Sequence, residues 1–199
     1  MAFYNLINDK NNLEIGFSRK PKNIFGIYAK GYWNSASKLS KSLLRKVRFH
    51  EYEAYPIFFL YRHSLELYLK SIIYKTDILL YLNEPDKVNL ELLNMHDLNI
   101  LSTKANNILK EIFYEDLEIM KLSEEIIQTS KEFSDIDPYS FSFRYPIDTK
   151  GKSISRKHMN LKSTNIHMNK LLKKIDIIDF GIDIQTDIEI KNLEKKGKL

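Results

Sequence analysis

The chain has 199 residues, of which 43% are hydrophobic and 29% charged, a balance typical of one folded domain and not of a disordered protein. Its 31 basic residues are mostly lysine and give a net charge of +5, which favours an acidic partner such as nucleic acid but equally fits a lysine-rich surface. The absence of cysteine excludes disulfides and thiolate metal sites, and it fits a cytoplasmic protein.

The first predicted elements are an irregular segment and two helices. Residues 1–28 show no sustained period. Helical spacing then predicts a helix over about residues 29–47, whose apolar face contains Trp33, Ala36, Leu43 and Val47. A more apolar helix follows, because Pro56 suits a first helical turn and the sequence NEPD after Leu82 ends it.

Three more helices are predicted after residue 94. The first begins near MHDL, with His96 or Asp97 as its N-cap, and the second covers about residues 116–133. Residues 137–160 are rich in Pro, Ser and Gly and predict a long loop with a short hairpin. The last helix is expected over about 165–180, capped by Ser163 or Thr164. The following GIDIQTDIEIK fits either helix or strand, and KNLEKKGKL is expected to fray.

These elements predict an all-α protein, a bundle of about five helices with an irregular or hairpin insertion before the last one. The expected division is an irregular segment at 1–28, the bundle at 29–185 and a polar tail at 186–199. No membrane span is predicted, because the longest apolar run, residues 55–73, has four ionisable residues near its centre.

Those four residues are the main functional candidates. At about 100° per residue, Arg62, His63, Glu66 and Lys70 lie within one arc of about 100° on a helix that is otherwise apolar. One interpretation is a charged face held by ion pairs between residues four apart. The other is a cleft in which Arg62 binds an anion and His63 acts as acid or base.

Further candidates lie outside this helix. His96 is expected to cap the third helix or to contribute to a site. Arg144, Tyr145 and Asp148 lie in the insertion, and an ion pair between Arg144 and Glu66 is a further option. The five histidines form no metal-ligand motif, and the six glycines form no phosphate-binding loop. We therefore expect neither a metal nor a cofactor.

The order of FLYRHSLELYLKSII, HDLNIL, four amphipathic helices and FRYPID resembles the HEPN superfamily of prokaryotic helical-bundle proteins. This resemblance implies an up-and-down bundle, assembly as a homodimer or hetero-oligomer, and a place in a toxin–antitoxin or anti-phage system. Its ribonuclease members carry an Arg followed a few residues later by a His. Arg45 and His50 match that pattern before the YRHSLE helix, whereas Thr149, Lys150 and Gly151 stand at the corresponding positions after Arg144.

Two functions are compatible with this resemblance. The first is a metal-independent RNA endonuclease, in which His63 takes the 2′-hydroxyl proton while Arg62 and Arg144 stabilise the phosphate. Binding and orienting roles then fall to Glu66, Lys70, His96 and Tyr145. The second is a non-catalytic interaction module that binds a nucleotide or a partner protein from the same operon, with the charged arc as a structural network. Plain RNA or DNA binding by the lysine-rich surface is a third option.

Overall fold

The computed structural model describes residues 24–82, 90–138, 140–145, 150–151 and 158–196. This part of the chain contains five α-helices and no strand, which confirms the predicted all-α helical bundle. The helices are α1 (Ile24–Leu44), α2 (Tyr55–Leu80), α3 (Leu98–Ile112), α4 (Leu117–Ile136) and α5 (Leu161–Lys195).

Local sequence signals explain where most of these helices begin. Pro56 lies in the first turn of α2, where its missing N–H costs no hydrogen bond. Asp97 caps α3 by accepting from the backbone N–H of Asn99 at 2.8 Å, and Asp116 caps α4 in the same way. Asn160 caps α5, so the predicted caps Ser163 and Thr164 lie inside that helix.

The predicted bounds of α1 and α5 are wrong at both ends. α1 begins at Ile24 instead of residue 29 and ends at Leu44, so Val47 lies beyond it and is fully exposed. α5 continues through residues 181–195, which include most of the predicted polar tail. The ambiguous sequence after Phe180 is therefore helical.

Residues 137–138 and 140–145 form the start of the insertion and fold into turns directly after α4. No strand occurs among the described residues between α4 and α5, and the remaining parts of the predicted hairpin, including Asp148, lie outside the described residues. Gly151 has φ of 74°, a conformation that favours glycine.

Helix α2 lies at the centre of the bundle and contacts α1, α3 and α5. α1 packs antiparallel to it, since Phe25 contacts Tyr74 and the Ser64 hydroxyl donates to the Ala29 carbonyl. α3 and α4 pack on each other, and α4 also contacts α5. No described helix combines the length and apolar character that crossing a membrane requires.

The interface between α2 and α5 is polar at regular intervals. The Tyr61 hydroxyl donates to Asn165, the Tyr68 hydroxyl to Asp176 and the Lys75 ammonium to Asp179, each at 2.8 Å. The two residue numbers rise together along these pairs, so α5 runs parallel to α2. Because the three α2 residues recur every two turns, they fix the register of the helices.

Gly26 and Gly31 on α1 give a matched pair of variants. A Cβ at Gly26 would meet the Asp179 carboxylate that binds Lys75, whereas a Cβ at Gly31 meets nothing within 4 Å. We expect Gly26→Ala to lower the free energy of unfolding by about 1–3 kcal/mol. Gly31→Ala is expected to raise it by about 0.5–1 kcal/mol, because alanine is the better helix former. Urea unfolding of both variants checks this, and equal effects would contradict the contact at Gly26.

Candidate functional site

The charged arc of α2 forms a buried ion network. Arg62 is fully buried, and its Nη1 donates to Glu66 Oε2 at 3.1 Å. Glu66 Oε1 accepts from Lys70 Nζ at 3.0 Å, and Lys70 is also buried. Both cations therefore bind one carboxylate inside the protein, where an unpaired charge would be strongly destabilising.

Asp137 is not among the predicted site residues, and it completes this network. It is fully buried, and its Oδ2 lies 3.5 Å from Arg62 Nε. Its Oδ1 accepts from the backbone N–H of Phe141 and of Ser142. Asp137 thus ties the turn after α4 to α2. Its position directly before Pro138 is a sequence signal for such a turn-forming carboxylate.

His96 closes the network on the side of α3. Its backbone carbonyl accepts from Arg62 Nη2 at 3.0 Å, and its ring Nδ1 lies 2.9 Å from Glu66 Oε1. The ring is 60% exposed, so it forms the solvent-facing edge of the network. Arg62, Glu66, Lys70, His96 and Asp137 are called the α2 network below.

The pKa of Glu66 reflects this surrounding charge. Burial alone would raise it, but the Lys70 ammonium and the His96 ring outweigh burial, so the pKa lies below the ordinary value of a glutamate. Glu66 is therefore ionised at neutral pH and holds both cations. The opposite charges in this network balance each other, and the Arg62 guanidinium is buried where a ligand phosphate cannot reach it.

His63 points away from the α2 network, towards α1. Its ring stacks on Phe59 with centroids 5.5 Å apart, and it meets the Tyr32 ring edge-on at 4.5 Å. Burial lowers the pKa of His63, and the nearby Glu66 carboxylate offsets this only in part. His63 is therefore neutral at pH 7 and half-buried among aromatic rings.

The same Phe59 ring brings His63 together with the insertion. The Arg144 guanidinium carbon lies 5.6 Å from the centroid of Phe59 and 5.7 Å from that of Tyr145. Arg144 and Tyr145 are exposed, and Tyr145 stacks on Phe141 at 4.3 Å. The aromatic–arginine patch is defined as Tyr32, Phe59, His63, Phe141, Arg144 and Tyr145.

Packing below the patch holds Arg144 in place. The Phe143 ring lies 5.7 Å from Phe58 and 6.4 Å from Phe133, which anchors the turn to α2 and α4. Arg144 Nε donates to the Ser140 carbonyl at 2.6 Å, and Ser140 itself has φ of 57°. The guanidinium is therefore oriented by backbone and rings, with no carboxylate bound to it among the described residues.

The predicted site residues consequently separate into two groups. The structure brings Arg62, Glu66, Lys70 and His96 together in the α2 network, and it places His63, Arg144 and Tyr145 in the aromatic–arginine patch. The predicted option of an ion pair between Arg144 and Glu66 is not realised, since Glu66 pairs with Arg62, Lys70 and His96 instead.

The Arg45 and His50 pair lies elsewhere, in the connection between α1 and α2. Both residues are exposed, and the His50 ring stacks on Tyr52 at 5.2 Å. This pair belongs neither to the α2 network nor to the patch.

A cavity of about 460 Å³ between α4 and α5 is a further feature that the sequence did not indicate. Thr129, His158, His167 and Met168 are among its lining residues, and the Thr129 hydroxyl lies 2.8 Å from His167 Nε2. Within the described residues, no group of three His, Asp or Glu side chains is arranged to hold a metal ion.

Comparisons with protein-family models, with curated proteins and with solved structures found no match to this chain.

Proposed function

We propose that this chain is a HEPN-like bundle of a defence or toxin–antitoxin system that binds single-stranded RNA at the aromatic–arginine patch without cleaving it. The observation that carries the proposal is the separation of the two groups of residues. The α2 network is buried and balances its own charges, whereas the patch exposes Arg144 and Tyr145. A cytoplasmic location, a partner protein from the same operon and assembly as a homodimer or hetero-oligomer belong to the same proposal.

The chemistry of the patch suits unpaired bases. Aromatic rings and a guanidinium plane stack on bases whose faces are exposed, and this favours single strands over duplexes. Arg144 also offers N–H donors to a phosphate. The net charge of +5 adds a nonspecific attraction to the same polyanion.

Arg144→Ala is the variant that tests this proposal. We expect it to weaken binding of a fluorescein-labelled single-stranded RNA by about tenfold, because it removes one stacking and phosphate contact. Arg48→Ala is the matched control, since Arg48 is an exposed arginine in the connection after α1. Fluorescence anisotropy at fixed salt measures both. Equal losses of RNA affinity for the two variants would indicate that the RNA is bound only by nonspecific charge attraction, and this would contradict a binding site at the patch.

A metal-independent endoribonuclease is the second candidate, and one observation favours it. His63 has a lowered pKa and shares the Phe59 ring with Arg144. In this mechanism His63 takes the 2′-hydroxyl proton and the 2′-oxygen attacks phosphorus. Arg144 stabilises the charged phosphate while the bond to the 5′-oxygen breaks, and the leaving 5′-oxygen takes a proton from water. Arg62, which the sequence assigned to the phosphate, is buried in the α2 network and takes no part.

An RNA cleavage assay in EDTA distinguishes the two candidates. The binding proposal predicts that the wild-type protein leaves the RNA intact over hours, because the patch has no second His, Asp, Glu or Lys beside His63 to serve as a general acid. Cleavage that persists in EDTA and disappears in His63→Ala would replace the binding proposal with the nuclease. Cleavage that persists in His63→Ala would indicate a contaminating nuclease and would leave the patch without a catalytic role.

A further inference from the structure

The outward face of α5 carries an apolar stripe that the bundle does not cover. Four large side chains recur at helical spacing and lie within an arc of about 80°. Ile177 and Phe180 are 62% and 64% exposed, and Ile184 and Ile188 are each 46% exposed. These four residues are called the α5 outer stripe.

The opposite face of α5 is already buried against the rest of the bundle. Ile175, Asp179, Ile182 and Thr186 lie on that inner face, and all are buried. A helix on the rim of a bundle normally has a polar outer face, and one that is apolar on two faces is normally covered on both. The α5 outer stripe therefore needs an occupant.

Charges on the same face indicate the chemistry of that occupant. Four exposed lysines lie on the same face of α5 as the outer stripe. Lys170 and Lys173 come before the stripe along the helix, and Lys191 and Lys195 come after it. None of the four forms an ion pair with another described residue, whereas Asp176, closer to the stripe, is bound by Lys30. The face thus presents an apolar centre between two basic ends.

We infer that the α5 outer stripe binds an amphipathic helix of a partner protein, with acidic residues about one turn beyond each end of its apolar face. Acidic side chains at those places would pair with the four lysines. The inference does not depend on RNA binding, because the stripe and the patch share no residue.

Two other occupants fit the charges less well. In a second copy of α5 packed antiparallel, Ile177 faces Ile188, but Lys173 then faces Lys191 and Lys170 faces Lys195, so like charges oppose at both ends. A parallel copy in register sets each lysine beside its equivalent. Residues 1–23 of this chain carry four basic and two acidic residues, which also gives the wrong sign.

Designed peptides test the inference. The probe is a labelled helical peptide with leucines at the spacing of the α5 outer stripe and two glutamates beyond each end, compared with the same peptide carrying lysines at those four places. By fluorescence anisotropy with the full chain, we expect about tenfold tighter binding of the acidic-ended peptide, since four exposed ion pairs each contribute little. The double variant Lys173→Glu/Lys191→Glu is expected to abolish the preference, because each end of the stripe then carries one lysine and one glutamate.

Ile184→Asp is expected to abolish binding of the acidic-ended peptide, while Ile100→Asp, an equally exposed position on α3, is the matched control and keeps it. Equal binding of the two peptides, or binding of neither, would overturn the inference. A wild-type dimer in sedimentation that Ile184→Asp converts to monomer would overturn it too, because a second copy would then cover the stripe. Circular dichroism confirms that each variant is folded.

Discussion

Replacement of Glu66 by alanine is expected to lower the free energy of unfolding by about 3–5 kcal/mol. Glu66 is the carboxylate that binds Arg62 at 3.1 Å and Lys70 at 3.0 Å, and all three side chains are buried. Its removal leaves Lys70 without this partner and leaves Arg62 with Asp137 as its one carboxylate among the described residues. A buried charge that loses its counter-ion costs more than the pair contributed.

Urea unfolding at pH 7 measures the effect, and Glu124→Ala is the matched control. Glu124 is exposed on α4, so its replacement is expected to change the free energy of unfolding by about 0.5 kcal/mol or less. An effect of Glu66→Ala as small as that of the control would show that the α2 network does not hold the bundle.

The pH dependence of the Glu66 variant has a defined sign. The pKa of Glu66 is lowered in the folded protein, so its ionised form stabilises the fold at pH values above the unfolded pKa. This contribution is lost as the pH falls through the folded value. We expect the deficit of Glu66→Ala to be full at pH 7 and to shrink below about pH 4.

Replacement of Lys75 by methionine is expected to lower the free energy of unfolding by about 3–5 kcal/mol at pH 8. Lys75 Nζ lies 2.8 Å from Asp179 Oδ2 and 3.9 Å from Asp183 Oδ1, and Lys75 is 2% exposed. Methionine has about the same volume as the aliphatic part of lysine, so the loss of stability measures the effect of removing the charge. The carboxylate of Asp179 then remains buried without its cation.

Lowering the pH should relieve this deficit. Burial raises the pKa of Asp179 even beside Lys75, and removal of the lysine raises it further. An acid with a raised folded pKa holds a proton where the unfolded chain has lost it, so stability rises as the pH falls through the folded value. Thermal melts from pH 8 to pH 5 check this, with the exposed Lys38→Met as control. A deficit that stays constant with pH would contradict the assignment to Asp179.

Sequence patterns predicted the helices well where one face of a helix is apolar. Pro56 and Asp97 marked two helix starts because they avoid or satisfy free backbone N–H groups. The end of α5 was missed for a physical reason. Ile182 is buried on the inner face of α5, while Ile184 and Ile188 are exposed on its outer face. Because both faces are apolar, the apolar residues in the sequence are spaced as they would be in a β-strand.

The candidate site was predicted only in part. Periodicity correctly placed Arg62, Glu66 and Lys70 on one side of α2, but it carries no information about what covers that side. The buried partner Asp137 and the carbonyl of His96 come from distant segments, so only the folded chain shows that the side is closed. His63 lies at the edge of the same arc, but its ring packs against the rings of Tyr32 and Phe59 and is not part of the ion network.

The α2 network stabilises the fold, and the proposed RNA-binding site is the aromatic–arginine patch. Titration of two protein variants with labelled single-stranded RNA tests this division of roles, at a temperature at which circular dichroism shows that both variants are folded. Arg144→Ala is expected to weaken binding by about tenfold, and Glu66→Gln is expected to leave the affinity unchanged within about twofold. A folded Glu66→Gln protein that loses as much affinity as Arg144→Ala would contradict RNA binding at the patch, because the RNA would then bind at the α2 network.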